Sequence, residues 1–128
     1  MKPKANETLD SIKDIKLFQS KKGYRFSIDA VLLEHFISAR HSSQGIELGT
    51  GSGVISILLA KRLSNVQIKA VELQKTLADR AKRNVKLNGL EDRIEIIHKN
   101  IKELKEKQAA KTAETKKESG KGKGKKKK

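Results

Sequence analysis

The segment Glu47-Leu48-Gly49-Thr50-Gly51-Ser52-Gly53 holds the densest chemical signal in the chain. Alternate glycines between an apolar strand pattern and an apolar helix pattern let a backbone turn sharply and approach a ligand with no Cβ in the way. Glu72 closes the next strand pattern, where a carboxylate can accept hydrogen bonds from ribose hydroxyls. Glycine turn and acid together point to a nucleoside ligand. A dinucleotide fingerprint would require glycine at position 54, which is Val54, and no G-x-x-x-x-G-K-[ST] phosphate cradle occurs. A nicotinamide oxidoreductase therefore ranks last.

Other chemistries find less support. His35, His41 and His98 lie on a helix, a loop and a strand end, without metal-ligand spacing, and cysteine is absent. That excludes disulfides, thiolate nucleophiles and cysteine-ligated metals, predicts no metal site and fits a reducing compartment. Ser52 lies in Gly51-Ser52-Gly53 rather than in the G-x-S-x-G elbow of hydrolases. No apolar run is long enough to span a bilayer, so a soluble cytoplasmic protein is expected.

The elements that must position this turn follow from periodicity. Ile15 and Leu17 suggest a strand ending at Gln19, Lys21-Lys22-Gly23 a turn, and Tyr24-Arg25-Phe26 the return of a small β-hairpin. Ser27 stands where an N-cap would, Asp29 lies in the first turn, and Ile28, Val31, Leu32 and Phe36 form a helical stripe to about Ala39. Strands at 45–48, 66–72 and 93–98 alternate with helices at 54–63 and 76–88, the latter closed by Gly89. This βαβαβ order predicts a Rossmann-like parallel sheet in a three-layer α/β domain. Lys75, Lys82 and Lys86 read as a solvated helix face, on which Asp79 can pair with Arg83.

The charge is lopsided: 128 residues carry 30 Lys plus Arg against 15 Asp plus Glu, a formal +15. Residues 1–8 read as a flexible start, 9–104 as the folding domain, and 105–128 as a disordered lysine-rich tail with affinity for polyanions such as RNA. Aromatic content of 3% leaves little for base stacking.

The G-x-G-x-G turn preceded by an acid, here Glu47, resembles the glycine motif of class I S-adenosylmethionine-dependent methyltransferases. Lys22 to Leu33 (KGYRFSIDAVLL) and Ala81 to Leu90 (AKRNVKLNGL), in order with the glycine turn and Glu72, are similar to bacterial tRNA adenine-N6-methyltransferases. Those enzymes modify an adenine beside the anticodon of a valine tRNA, and the resemblance covers roughly residues 10–104. It implies S-adenosylmethionine as cofactor and the exocyclic amine of an adenine in tRNA as methyl acceptor. It further implies that Phe26, Ser27 and Asp29 border the methionine end, that Gly49, Gly51 and Gly53 pass beneath the cofactor, and that Glu72 holds the ribose. Asn100 occupies the place of a family Asp that accepts from the cofactor's adenine amine; an amide oxygen can accept too, without charge. The family's acceptor motif, Asn or Asp followed by two prolines and an aromatic, is missing: the only proline is Pro3 and the last aromatic Phe36. The expectation is an incomplete methyltransferase fold with no catalytic residue identified and little activity alone. The alternative is a non-catalytic basic module that binds RNA or the cofactor.

Overall fold

The computed structural model describes residues 1–23, 25–39 and 43–104. Tyr24, His41 and the tail expected to be disordered, 105–128, lie outside the described residues. Two compact units divide the chain, Met1–His98 and Lys99–Lys128.

In the first unit, β1 (Glu7–Ile12) and β2 (Ile15–Ser20) form an antiparallel hairpin, with Glu7 opposite Ser20 and Ile12 opposite Ile15. The hairpin lies earlier in the chain than its apolar pattern suggests. Its turn is Lys13-Asp14, with Lys13 at φ 51, while Lys21 to Gly23 is a bend after β2 and Arg25 to Phe26 is not strand. β1 escapes a pattern search because it is mostly polar; its cohesion comes from the backbone ladder and from Asp10, which accepts from Thr8 Oγ1 at 2.7 Å, Gln19 Nε2 at 2.8 Å and Arg25 at 3.0 Å.

The start of the chain is also tied down. Glu7 is 4% exposed and accepts from Arg83 at 2.7 and 2.8 Å, from Arg80 at 3.1 Å and from the Lys4 backbone N–H at 3.1 Å. Burial works to raise its pKa, but these donors outweigh it and hold the carboxyl down at about 2. Arg83 also lies over the Phe18 ring, 4.4 Å from its centroid. Thus Arg83 does not pair with Asp79 along the helix; Asp79 accepts from Lys75 at 2.7 Å instead.

α1 (Ile28–Phe36) ends before Ala39. Ser27 holds the N-cap position but makes no side-chain cap bond. Of the expected apolar stripe, Ile28, Leu32 and Phe36 face outward, with Ile28 70% and Phe36 82% exposed, and Val31 turns inward. Ala30 and Val31 pack on the core instead, and buried Glu34 accepts from Arg62 Nε at 2.7 Å.

β3 (Gln44–Leu48), α2 (Val54–Arg62), β4 (Gln67–Glu72), α3 (Lys75–Leu87) and β5 (Ile94–His98) follow as βαβαβ, and the sheet is parallel in the order β3-β4-β5. Glu47 lies opposite Ala70, and Glu72 opposite His98. Ile68, Ala70 and Ile94 meet Val54, Ile57 and Leu58 of α2 and Val85 of α3, with Ile15 and Leu17 of the hairpin completing the core. Strand residues alternate between faces, and Ile46 and Leu48, on the other face of β3, are exposed. A concavity of about 580 Å³ runs along the amino ends of the three strands, past Gln44, Gln67 and Arg93.

The helix ends are closed by identifiable donors. Arg93 donates to the carbonyls of Ala60 at 2.7 Å, Leu63 at 2.5 Å and Val66 at 3.2 Å, a cation at the negative end of α2. Gly89, at φ +66, ends α3 with Gly89 N–H on the Lys86 carbonyl and Leu90 N–H on that of Val85, a Schellman arrangement.

Candidate cofactor site

The turn after β3 is built from left-handed glycines: Gly49 at φ 73, Gly51 at φ 60 and Gly53 at φ 87. An L-residue at such a position costs roughly 1–2 kcal/mol. Around Gly49 the requirement is conformational alone, since a Cβ there would meet nothing within 4 Å. At Gly53 it is conformational as well, since a Cβ would lie 3.5 Å from Ala81 Cβ and Ile57 Cδ1, an ordinary van der Waals contact.

β4 holds this turn. The N–H groups of Gly49 and Thr50 donate to the Val71 carbonyl at 2.8 and 2.9 Å, and Gly51 N–H donates to Glu72 Oε1 at 3.0 Å. Glu72 Oε2 accepts from Gln74 N–H at 2.8 Å. Glu72 is buried at the carboxyl end of the central strand, where ligands bind in open α/β sheets.

Glu47 braces the turn from the other side. Its Oε1 accepts from Thr50 Oγ1 and from Ser56 Oγ, the latter at 2.9 Å. Burial pushes its carboxyl above the usual carboxylate range, against the lowering effect of the two hydroxyls.

The glycine turn, Glu47 and Glu72 thus come together as one hydrogen-bonded unit. Phe26 is half-buried against the core, its N–H donating to Gln19 Oε1 at 3.0 Å. Ser27 and Asp29 are exposed at the start of α1, and no hydrogen bond joins them to the glycine turn among the described residues. Asn100 belongs to the second unit, where its Oδ1 accepts from Lys102 N–H at 3.0 Å, ahead of a helical segment at 101–104. The sequence assigns no role of their own to Gln19 and Asn84; Asn84 inside α3, with Asn88 one turn later at its C-cap, was the available signal, because Asn disfavours helix interiors unless its amide is used.

The donor set fits a nucleoside with a ribose diol. A carboxylate offers about four acceptor positions; those on Glu72 taken by Gly51 and Gln74 leave capacity for hydroxyls. Ser52 Oγ, in the same turn, is buried without a partner among the described residues. There is also no group of three or more His, Cys, Asp or Glu placed to hold a metal among them.

The family model for the methyltransferase small domain matches residues 27–112. The chain belongs to that family. Among curated relatives, the tRNA1(Val) (adenine(37)-N6)-methyltransferase of Haemophilus influenzae (strain PittEE) is 29% identical over 92 residues, 71% of this chain and 40% of its own length. The enzyme of that description from Yersinia pestis (strain Pestoides F) is 37% identical over 79 residues, 61% of this chain and 32% of its own. The chain therefore spans about two-fifths or less of the length of these relatives. Among solved structures, the tRNA m1G37 methyltransferase of M. jannaschii superposes with a TM-score of 0.60 at 21% identity, over 73% of this chain and 30% of that one. An S-adenosylmethionine-dependent methyltransferase from Thiobacillus denitrificans, in complex with S-adenosyl-L-homocysteine, does so at 0.51 and 19%, over 58% and 29%. These likenesses give the methyltransferase small domain of this chain the Rossmann-like fold of cofactor-dependent methyltransferases. No described helix is long and apolar enough to cross a membrane.

Proposed function

We propose that this chain is the cofactor-binding part of an S-adenosylmethionine-dependent methyltransferase acting on the exocyclic amine of an adenine in tRNA. The observation that carries the cofactor reading is the bond from Gly51 N–H to Glu72 Oε1 at 3.0 Å, which fixes a carboxylate against the glycine turn at the carboxyl end of the sheet. When bound, the cofactor supplies an electrophilic methyl group on a sulfonium. Glu72 accepts from the ribose hydroxyls, Gly49 and Gly51 allow close approach, and Glu47 holds the turn through Thr50 and Ser56. Phe26, Ser27 and Asp29 border the methionine end, and Asn100 takes the sequence position of the family's acceptor for the adenine amine.

The tRNA substrate rests on the relatives' names and on the KGYRFSIDAVLL and AKRNVKLNGL segments. The adenine amine is a poor nucleophile, its lone pair delocalised into the ring, so transfer needs groups that orient it. No Asn-Pro-Pro-aromatic motif stands in this chain; methyl transfer by the chain alone is expected near background. The alternative is a non-catalytic basic module that binds RNA, which the +15 charge favours, or the cofactor alone; in either reading the proposed location is the cytoplasm.

Calorimetric titration with S-adenosylhomocysteine tests the cofactor reading: saturable binding to the folded chain is expected, and none would refute it. Tritiated methyl transfer to bulk tRNA, compared with Gly51→Arg, tests activity. Deleting residues 109–128 separates tail-borne from domain-borne RNA affinity, read as the salt dependence of binding.

A further inference from the structure

Asn84 is 0% exposed, and its amide spans three elements. Its Oδ1 accepts from Phe18 N–H at 2.6 Å, and its Nδ2 donates to the carbonyls of Phe18 at 3.1 Å and Ser52 at 2.9 Å. One helical turn later Asn88 treats β2 the same way, accepting from Lys16 N–H at 3.0 Å and donating to the Lys16 carbonyl at 2.7 Å. Its remaining bond stays within α3, to the Asn84 carbonyl at 2.8 Å. The two amides match in how they hold the hairpin and differ in one bond: Asn84 alone reaches the glycine turn.

That bond falls where the backbone is softest. Ser52 lies between Gly51 at φ 60 and Gly53 at φ 87, and glycines on both sides leave the Ser52–Gly53 peptide plane free to flip. Asn84 fixes the oxygen end of that plane, while Gly53 N–H, at the other end, donates to the Thr50 carbonyl at 3.0 Å. A flip would break both bonds. The same turn presents Gly51 N–H to Glu72, so the plane set by Asn84 is continuous with the carboxylate assigned to the ribose.

We propose that Asn84 is a positioning residue for cofactor binding, holding the Ser52 carbonyl so that the glycine turn keeps its bound shape before ligand arrives. The role rests on the reading of the turn as the S-adenosylmethionine site. It predicts a preorganisation effect, lost affinity without lost contact, distinct from the hairpin-holding role that Asn88 shares.

The matched pair supplies the test. Asn84→Ala and Asn88→Ala, both in the full chain, are compared by calorimetry with S-adenosylhomocysteine at a temperature where circular dichroism shows each folded. Asn88→Ala is expected to lower the melting temperature and leave Kd within about twofold, whereas Asn84→Ala weakens binding about tenfold or more. Equal losses, or wild-type affinity in Asn84→Ala, would overturn the proposal. Amide hydrogen exchange in the ligand-free proteins separates this from failure of the cofactor reading: Gly51 and Gly53 should lose protection in Asn84→Ala and keep it in Asn88→Ala, whether or not the ligand binds. Should Asn84→Ala not fold, wild-type NMR decides, since S-adenosylhomocysteine should shift the Asn84 side-chain amide and leave that of Asn88 in place; the reverse, or no shift in either, counts against the role.

Discussion

Glu72 and Gly51 are joined by a 3.0 Å bond from the glycine N–H to the carboxylate, so the ribose-binding acid of the proposed site is also a strut of the turn it faces. The two roles predict a compound loss. Glu72→Ala should weaken S-adenosylhomocysteine binding by roughly 1.5–3 kcal/mol as charge-assisted hydrogen bonds disappear. Titration calorimetry checks the value, and unchanged affinity would return Glu72 to a purely structural carboxylate.

Acid sensitivity should centre on Glu7. Its carboxyl titrates at about 2 in the folded chain, against 4.5 ordinarily, so between these values the unfolded chain binds a proton that the folded chain does not. Stability from this group is complete above the ordinary value and drains away as pH falls toward 2, by at most about 3 kcal/mol. Urea melts of wild type and Glu7→Gln from pH 7 to 2.5 should converge at the acid end.

Glu47 should behave with the opposite sign. Burial raises its carboxyl above 4.5, so the folded chain takes up the proton first, and the ionised form is a penalty present above the folded pKa. Glu47→Gln keeps an oxygen for Thr50 and Ser56 and removes that charge. Its stability relative to wild type should be higher at pH 8 than at pH 4, as read from thermal melts across that range.

The outward stripe of α1 makes a third contrast. Ile28, Leu32 and Phe36 are exposed while Glu34 is buried against Arg62. Leu32→Ser and Phe36→Ser should each change stability by less than about 0.5 kcal/mol. Glu34→Ala, which strips the partner from a guanidinium that also serves the Glu34 and Ile37 carbonyls, should cost about 2 kcal/mol. Denaturant midpoints would distinguish the two classes.

What was legible in the sequence was local. Alternating strand and helix patterns, three glycines in left-handed positions, Gly89 closing α3 and Glu72 at a strand tip all express a requirement of the nearby backbone. What was not legible depends on distant partners. Glu7 looks like a charge in a frayed start until Arg80 and Arg83 fold over it. Ile28, Leu32 and Phe36 announce an amphipathic helix, yet periodicity does not say what that face meets, and here Glu34 turns inward to Arg62. Ser27 has the right type and position for a cap without making the bond.

The pair Asn84 and Asn88 carries a consequence for the hairpin's solubility. Successive outward backbone groups of a strand are about 6.8 Å apart and one helical turn rises about 5.4 Å, near enough for two side-chain amides four residues apart to serve Lys16 and Phe18 as a neighbouring strand would. α3 thereby occupies the row of donors and acceptors on the side of β2 away from β1. An incoming strand from another molecule finds that row already engaged, so this side of the hairpin is shielded against edge-to-edge aggregation.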